Sequence, residues 1–299
     1  MKLFIKSVSR LNIAFIFLFG SPVFAQDDLL KELEKESDQK SSAYTSQAFK
    51  GTRLINGHSV ETIGAGTLEF IFSHRFGRLN GGLYEVYGLD DAYVRLGLEY
   101  GVTDNFGIGI GRNSVDKTVD GYLKYKFLKQ SRDGAPVTIT AFGSTAYKTS
   151  PRDADVPAGF QRSDRLAYTA QLLFARKFTP ALSLQFMPTL VHKNWVAVNE
   201  GDNNQVALGV GGRIKVTPSV SVNAEYYYRV NPSDANSYKD AIGIAVDIET
   251  GGHVFQIILT NTRGMIERTF VTETDGDFFD GDIHLGFNVT RAFQLKRKQ

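Results

Sequence analysis

Side chains that could do acid–base or nucleophilic chemistry are few in this sequence and widely spaced. The five histidines are His58, His74, His192, His253 and His284. His74 follows Ser73, and a serine beside a histidine is the pair from which many hydrolases build a nucleophile. Successive side chains of a strand point to opposite faces, so these two cannot form that hydrogen bond within one regular strand. We therefore expect no enzyme activity and interpret His74 as a histidine at the lipid headgroup level.

The composition excludes further classes of site and partner. The sequence contains no cysteine, which rules out disulfides, zinc–thiolate centres and cysteine nucleophiles. The 34 lysines and arginines nearly balance the 32 aspartates and glutamates, whereas a protein that binds nucleic acid needs a basic surface to displace counterions from phosphates. We expect neither a nucleic-acid partner nor a cofactor.

An acidic stretch over residues 272–282 (TETDGDFFDGD) is the best candidate for binding a hard cation. Calcium prefers several oxygens that converge from one tight loop, but Phe279 stands where an EF-hand would place its third ligand. We predict no metal site. We expect instead a solvated acidic loop, or one that divalent cations bridge to lipopolysaccharide.

Two glycine-rich stretches, residues 107–112 (GIGIGR) and 209–213 (GVGGR), are similar to phosphate-binding loops. Such loops hold phosphate on the amides that open a helix after a strand, and neither stretch precedes a helical pattern. Glycines inside a strand also leave room for long side chains from neighbouring strands. We expect Tyr93, Arg95, Lys124 and Lys126 to fill that room.

The first 25 residues have the composition of an export signal. Three basic residues lie within the first ten positions, residues 11–19 are apolar, and residues 23–25 (VFA) form a small-residue cleavage signal. We predict a signal peptide over residues 1–25, whose removal takes three cations from the formal charge and changes it from +2 to −1. No other stretch of the sequence approaches the roughly 18 to 20 apolar residues of a membrane helix.

The chain between the signal and the first strand is polar. Residues 27–36 (DDLLKELEKE) predict a short helix with acids at its start, where the helix dipole favours them. Residues 41–51 (SSAYTSQAFKG) are typical of a linker. We therefore place a periplasmic helix and linker over residues 26–60, a barrel over residues 61–295 and a basic tail over residues 296–299.

From Gly66 onward apolar and polar residues alternate with the period of two that strands require. In one run, Val206 and Leu208 oppose Gln205 and Arg213. The twelve predicted strands span residues 67–76, 92–100, 106–111, 122–128, 136–147, 165–177, 182–192, 205–216, 220–230, 240–248, 253–261 and 282–294.

Loop lengths and aromatic residues indicate how these strands are arranged. Turns of three to seven residues alternate with longer polar loops, and outer-membrane barrels have short periplasmic turns, long extracellular loops and aromatic girdles at both interfaces. A secreted β-sandwich would also show alternating strands, but it does not require alternating loop lengths. We predict an all-β fold, a twelve-stranded antiparallel up-and-down transmembrane β-barrel with a short N-terminal helical extension.

The chain resembles an uncharacterised family of Gram-negative outer-membrane β-barrels, a domain of unknown function, in five blocks that keep their order. The blocks are residues 68–77 (LEFIFSHRFG), 88–112 (GLDDAYVRLGLEYGVTDNFGIGIGR), 120–130 (DGYLKYKFLKQ), 251–270 (GGHVFQIILTNTRGMIERTF) and 281–293 (GDIHLGFNVTRAF). The resemblance covers about residues 51–293 and implies a barrel located in the outer membrane. It implies no activity and assigns no site residues.

Charged side chains mark the strand positions that face the lumen, because Arg or Lys on the lipid face would cost about 2–4 kcal/mol at the bilayer midplane. The candidate site residues that line the lumen are Arg75, Arg95, Glu99, Lys124, Lys126, Arg213, Lys215, Glu225 and Arg229. Together with Glu69 and Asp247, the predicted lumen has seven cations against four anions, an excess of three positive charges.

Barrels of about 8 strands are filled by side chains and those of about 16 to 18 leave channels, so twelve strands do not decide the state of the lumen. Our leading interpretation is a narrow passive channel for small solutes with weak anion preference. The alternative is a non-conducting structural or adaptor barrel that binds a partner through its periplasmic extension or its extracellular loops. We expect contacts with outer-membrane lipid and lipopolysaccharide, and a periplasmic protein as partner of residues 26–50. The sequence does not determine the oligomeric state, or whether the N-terminal segment plugs the barrel.

Overall fold

A computed structural model of the protein describes residues 44–150, 159–197, 201–234 and 236–295. Its twelve strands begin and end within three residues of the predicted runs. They are β1 (Thr67–Arg78), β2 (Ala92–Gly101), β3 (Phe106–Asn113), β4 (Val119–Leu128), β5 (Thr138–Tyr147), β6 (Leu166–Lys177), β7 (Leu182–Lys193), β8 (Asn204–Lys215), β9 (Val220–Arg229), β10 (Ala241–Thr250), β11 (His253–Thr260) and β12 (His284–Gln294).

Within residues 44–295, as far as the structure describes them, helical structure is confined to the connections between strands. Single 3₁₀ turns lie at Leu79–Gly81, Val86–Gly88, Val115–Lys117 and Arg162–Arg165, and one α-helical turn, α1, lies at Glu267–Phe270. Within the described ranges, no helix has the length and apolar composition needed to cross a membrane. The predicted signal peptide, the helix over residues 27–36 and the tail over residues 296–299 lie outside the described residues.

The strands form a closed barrel. Each strand pairs antiparallel with its neighbours in sequence, and β1 pairs with β12 to close the sheet. Closure satisfies the backbone N–H and C=O groups of both edges, which is the condition for strands to cross a membrane. The predicted twelve-stranded antiparallel barrel is therefore confirmed.

The outer surface of the barrel carries the apolar side chains of the alternating pattern. Leu96, Ile108, Leu172 and Leu208 are 38–48% exposed there. Phe70 and Leu98 are cross-strand partners on the same face, as the period of two requires. This exposed apolar band suits hydrocarbon rather than water.

The two ends of the barrel differ. The turns after β2, β4, β6, β8 and β10 form one end, the short-turn rim, and the connections after the odd-numbered strands form the other, the long-loop rim. Two segments outside the strands enter the barrel from these ends. Tyr44 pairs with Ser131 in the β4–β5 turn, so the chain that precedes β1 enters at the short-turn rim, and the β11–β12 connection folds inward from the long-loop rim.

Candidate functional site in the barrel lumen

The lumen is occupied by the segment that precedes β1. We call residues 48–63 the plug. Its apolar side chains Ala48, Phe49, Leu54, Ile55 and Val60 are each at most 5% exposed. The linker that we predicted over residues 41–51 therefore ends before Ala48, where the chain becomes buried. The lumen offers these side chains a dry environment that the sequence pattern does not reveal.

The plug reverses direction at Asn56 and Gly57. The N–H of Leu54 donates to the carbonyl of Gly57 at 2.8 Å, and Arg53 pairs antiparallel with His58. Asn-Gly is the strongest short-range signal for such a hairpin turn, so the sequence did contain a marker for this element. A side chain at Gly57 would overlap the hydroxyl of Tyr227 on β9, so glycine is required for the close approach to the wall.

Side chains of the wall hold the plug by its backbone. The Glu225 carboxylate accepts from the N–H groups of Asn56 at 2.8 Å and Gly57 at 3.2 Å. The side-chain amide of Gln185 accepts from the N–H of Val60 and donates to the carbonyl of His58, both at 2.8 Å. Backbone groups that leave water must be paired, and here polar wall residues supply the partners.

Two lysines of β4 bind both arms of the plug. The Lys124 ammonium is fully buried and donates to the carbonyl of Thr52 at 3.0 Å and to the carbonyl of Glu61. The Lys126 ammonium lies 2.9 Å from the Glu61 carboxylate, which also accepts from the N–H of Ala48 at 2.8 Å. Both lysines thus serve as plug ligands in the described conformation.

Further contacts complete the ring of wall residues around the plug. Arg75 donates to the side-chain carbonyl of Asn56 at 2.8 Å. The other donors to plug carbonyls are Thr140 to Val60 at 2.7 Å, Gln256 to Leu54 at 2.8 Å and Asn288 to Ile55 at 3.1 Å. Residues of β1, β4, β5, β7, β9, β11 and β12 therefore contact one segment.

Glycines of β3 make room for long lumen side chains, as the sequence indicated. A side chain at Gly111 would overlap the Arg95 guanidinium, and one at Gly109 would overlap the Tyr122 ring. The expectation is confirmed for Arg95 and wrong for Tyr93, which lies under the Arg263 guanidinium at 5.6 Å from its ring centroid. Lys124 and Lys126 bind the plug instead.

A second set of charges is paired within the wall. Arg95 Nη2 lies 2.5 Å from the Asp120 carboxylate, and the hydroxyl of Tyr122 donates to Glu99 at 3.1 Å. All four side chains are buried. Asp120 was not among the predicted lumen residues because the predicted strand began at Tyr122, whereas β4 begins at Val119.

The remaining predicted lining residues lie on the inward face near the rims. Arg213 donates to the Ser221 hydroxyl at 3.0 Å, and Arg229 donates to the carbonyl of Tyr238. Lys215 is half-buried.

The inward charge of the whole barrel includes four residues that were not predicted, Lys177, Lys193, Asp120 and Glu249, which share the inward parity. With them, the twelve strands carry nine inward cations and six inward anions. The excess is again three positive charges.

The β11–β12 connection closes the lumen from the other end. We call residues 262–274 the inserted loop, and α1 lies within it. The Phe270 ring packs 4.9 Å from the Tyr227 ring, and Glu267 Oε1 lies 4.0 Å from His58 Nε2 of the plug. Burial raises the pKa of Glu267 and the Arg53 guanidinium partly offsets that effect, so that the net pKa is about 7. A gap of about 10 Å³ beside these groups has room for about one water molecule.

The acidic stretch next to the inserted loop pairs with cations. Asp275 and Asp282 lie 3.1 Å and 3.4 Å from the Arg78 guanidinium, and Asp277 lies 3.1 Å from the Lys239 ammonium. In the part of the chain that the structure describes, no cluster of three His, Asp or Glu side chains is placed to hold a metal ion.

The Ser73–His74 pair is divided by the sheet. Ser73 is buried on the lumen side, and the His74 ring stacks on Phe287 on the outer face at 5.1 Å between centroids. The two side chains therefore cannot act as nucleophile and base.

Comparisons with known proteins identify a family for this chain. A family model described as a membrane bound beta barrel domain (DUF5777) matches residues 49–293, which includes the plug from Phe49 onward. No significant match is found among curated proteins. Among solved structures, the NanC porin is 10% identical, covers 76% of this chain and 98% of its own, and has a TM-score of 0.48.

Two further solved structures are similar in the same way. The KdgM porin is 10% identical with coverage of 76% and 99% and a TM-score of 0.48. An outer membrane channel from Pseudomonas putida F1 is 14% identical with coverage of 78% and 98% and a TM-score of 0.46. At these identities the likeness extends to the general fold alone. The family match and the closed barrel with its apolar exterior agree, and the chain belongs to the DUF5777 family of membrane-bound β-barrel domains and is an outer-membrane protein.

Proposed function

We propose that this protein is a narrow outer-membrane channel for small solutes that its own plug holds closed. The observation that carries the proposal is the way the plug is attached. The barrel closes through β1–β12 pairing without any contribution from the plug, and wall side chains, rather than a strand ladder, hold the plug backbone. The plug can therefore leave the lumen while the barrel hydrogen bonds stay intact.

The wall behind the plug supports a weak anion preference. Its nine cations and six anions leave three excess positive charges. Fixed charge in a narrow channel with low-dielectric walls concentrates counterions. Small anions should therefore pass faster than small cations once the plug has moved.

A non-conducting adaptor barrel is the second candidate, and one observation favours it. The plug and the inserted loop meet at His58 and Glu267, so both ends of the lumen are filled in the described conformation. Tyr44 is fixed at the short-turn rim, where a periplasmic protein bound to residues 26–50 could hold the plug in place.

A reversible crosslink of the plug tests the channel directly. A Cβ at Gly243 of β10 would lie 3.3 Å from Ile55 Cγ2, a γ position that a cysteine sulfur at residue 55 could take, so cysteines at these two positions are close enough to test as a disulfide. The chain has no other cysteine. In planar bilayers, the oxidised Ile55→Cys/Gly243→Cys double variant should not conduct. Reduction of its disulfide should raise its conductance to the level of the Ile55→Cys single variant.

Ion selectivity is measured in the same reduced double-cysteine protein, with and without two further substitutions in β4. Lys124→Glu with Lys126→Glu changes the lining by four charges, from an excess of three positive to one negative, and should move the reversal potential towards cation selectivity. If the reduced double-cysteine protein and a variant lacking residues 26–63 are both silent, the channel proposal is wrong and the adaptor barrel takes its place.

A further inference from the structure

A cavity opens at the long-loop rim, on the outer side of the inserted loop. Its volume is about 310 Å³, within the range of small-molecule sites. Arg268 and Glu273 of the inserted loop contribute to its lining, and Phe160, Arg165 and Trp195 contribute from the β5–β6 and β7–β8 connections. A solute entering from this end would meet this cavity before it reached the plug.

Two carboxylates of the lining are engaged by neighbouring cations. Asp116 lies 3.2 Å from Arg268 and 3.4 Å from Lys148. Glu273 lies 3.0 Å from both Lys193 and Arg268. Burial by itself would raise the pKa of Glu273, but Arg268 and Lys193 lower it further than burial raises it. Both carboxylates are paired with cations, so they offer little attraction to a cationic solute.

The other two carboxylates of the lining are also engaged. Asp164 accepts from the N–H of Gln161 at 2.7 Å. Asp275 lies 3.1 Å from Arg78, outside the lining, and 3.7 Å from Arg263. Three of the four lining carboxylates are thus paired with cations, and Asp164 is hydrogen-bonded to the backbone.

Arg165 has a different environment. Its Nη1 donates to the carbonyls of Ser150 at 2.6 Å and Lys148 at 3.2 Å, and its guanidinium lies 5.9 Å from the Phe160 ring centroid. Neutral carbonyls orient the guanidinium without cancelling its charge. No carboxylate of the described residues lies within ion-pairing distance of it, so this cation is available to an anionic ligand.

Aromatic rings stand beside this cation. Phe160 and Trp195 meet edge to face with centroids 5.4 Å apart, and both line the cavity. Such rings offer flat apolar surface to a ligand ring. Most of the other lining side chains are charged or polar, which favours a ring that carries hydroxyl groups over an apolar one.

We propose that this cavity binds a small hydroxylated ring carboxylate, the chemical class of the sugar acids. The ligand carboxylate pairs with Arg165, and its ring lies against Phe160 and Trp195. The inference rests on the proposed function, because it names the solute class that the channel would take up first. It assigns to the long-loop rim a recognition step that is separate from the plug.

Trp195 is the single tryptophan of the chain, so its fluorescence reports on this cavity without a label. The purified full-length protein in detergent is titrated with D-glucuronate, D-glucose and benzoate at constant ionic strength. We expect a saturable change with glucuronate, and at least about tenfold weaker binding of glucose, which lacks the charged partner of Arg165. Glucose binding as tightly as glucuronate, or benzoate binding more tightly, would overturn the proposal.

Arg165→Gln should weaken glucuronate binding about tenfold or more. Arg162→Gln is the matched control, because Arg162 belongs to the same 3₁₀ turn but does not line the cavity, and it should leave the affinity unchanged. An unaltered affinity in Arg165→Gln would contradict the assignment. If that variant does not fold, the comparison of the three ligands on the unmodified protein still tests the proposal. Fluorescence binding is independent of conductance: conductance without glucuronate binding rejects this inference alone, and binding without conductance rejects the channel alone.

Discussion

Lys124→Met is the substitution that should release the plug most directly. The Lys124 ammonium satisfies two plug carbonyls, those of Thr52 and Glu61, and it is fully buried. Methionine has a similar length but no donor, so both carbonyls lose their partner in the closed state. A buried acceptor left unpaired costs about 1–3 kcal/mol. In the open state water solvates the carbonyls, so the penalty falls on the closed state.

The two lost bonds together should destabilise the closed state by about 2–6 kcal/mol. Burying the ammonium is itself unfavourable, and methionine removes that cost, so the net change lies towards the lower end of the range. Since 1.4 kcal/mol corresponds to a factor of about ten, the ratio of open to closed protein should rise at least about tenfold.

Single-channel recording in planar bilayers measures this ratio as the fraction of time that the barrel conducts. Lys117→Met is the control, because Lys117 is exposed in the β3–β4 connection, away from the plug. An unchanged open fraction in Lys124→Met, with the barrel folded as judged by circular dichroism, would refute the idea that these hydrogen bonds hold the lumen closed.

Other predictions concern topology, the lipid face and the inserted loop. A cysteine at Asp280, exposed at the long-loop rim, should react with a membrane-impermeant thiol reagent on intact cells, whereas one at Asn105 in the β2–β3 turn should not; the reverse pattern would invert the barrel. Leu172→Arg should destabilise the barrel by about 2–4 kcal/mol in a lipid refolding titration, while Leu172→Phe should stay close to the unmodified protein. Because the pKa of Glu273 lies below its usual 4.5, its ion pairs stabilise the inserted loop above that pH and are lost as the pH falls through the lowered pKa. Trp195 fluorescence should show this acid transition, and Glu273→Gln should lack it.

The strands were predictable because their pattern is imposed by the membrane. Lipid on one side and a polar interior on the other force alternation, as at Leu96, Leu98 and their inward neighbours Arg95 and Glu99. Loop lengths gave the order of turns, and the charged positions indicated the inward face. The contents of the lumen were not predictable in this way, since alternation distinguishes a lipid environment from a non-lipid one but does not distinguish water from protein.

The plug was hidden for a related physical reason. It is held by residues of seven strands that are distant in sequence. Its apolar residues show no periodicity of their own, and only the Asn56-Gly57 turn signals an ordered element. The inserted loop is equally irregular, and its short helix carries a buried Glu267 that composition would place in solvent.

The amino-acid sequence alone determined the strand positions and the charge excess of the inward face, because both depend on local alternation, and it determined the closed antiparallel order through the alternating loop lengths. Tertiary structure decided which partners the inward charges have. Lys124, Lys126 and Glu225 bind the plug, and Arg95 pairs with Asp120. A buried charge is stable only where donors and acceptors from separate parts of the chain converge on it, and that convergence exists only after the barrel has closed around the segment that precedes it.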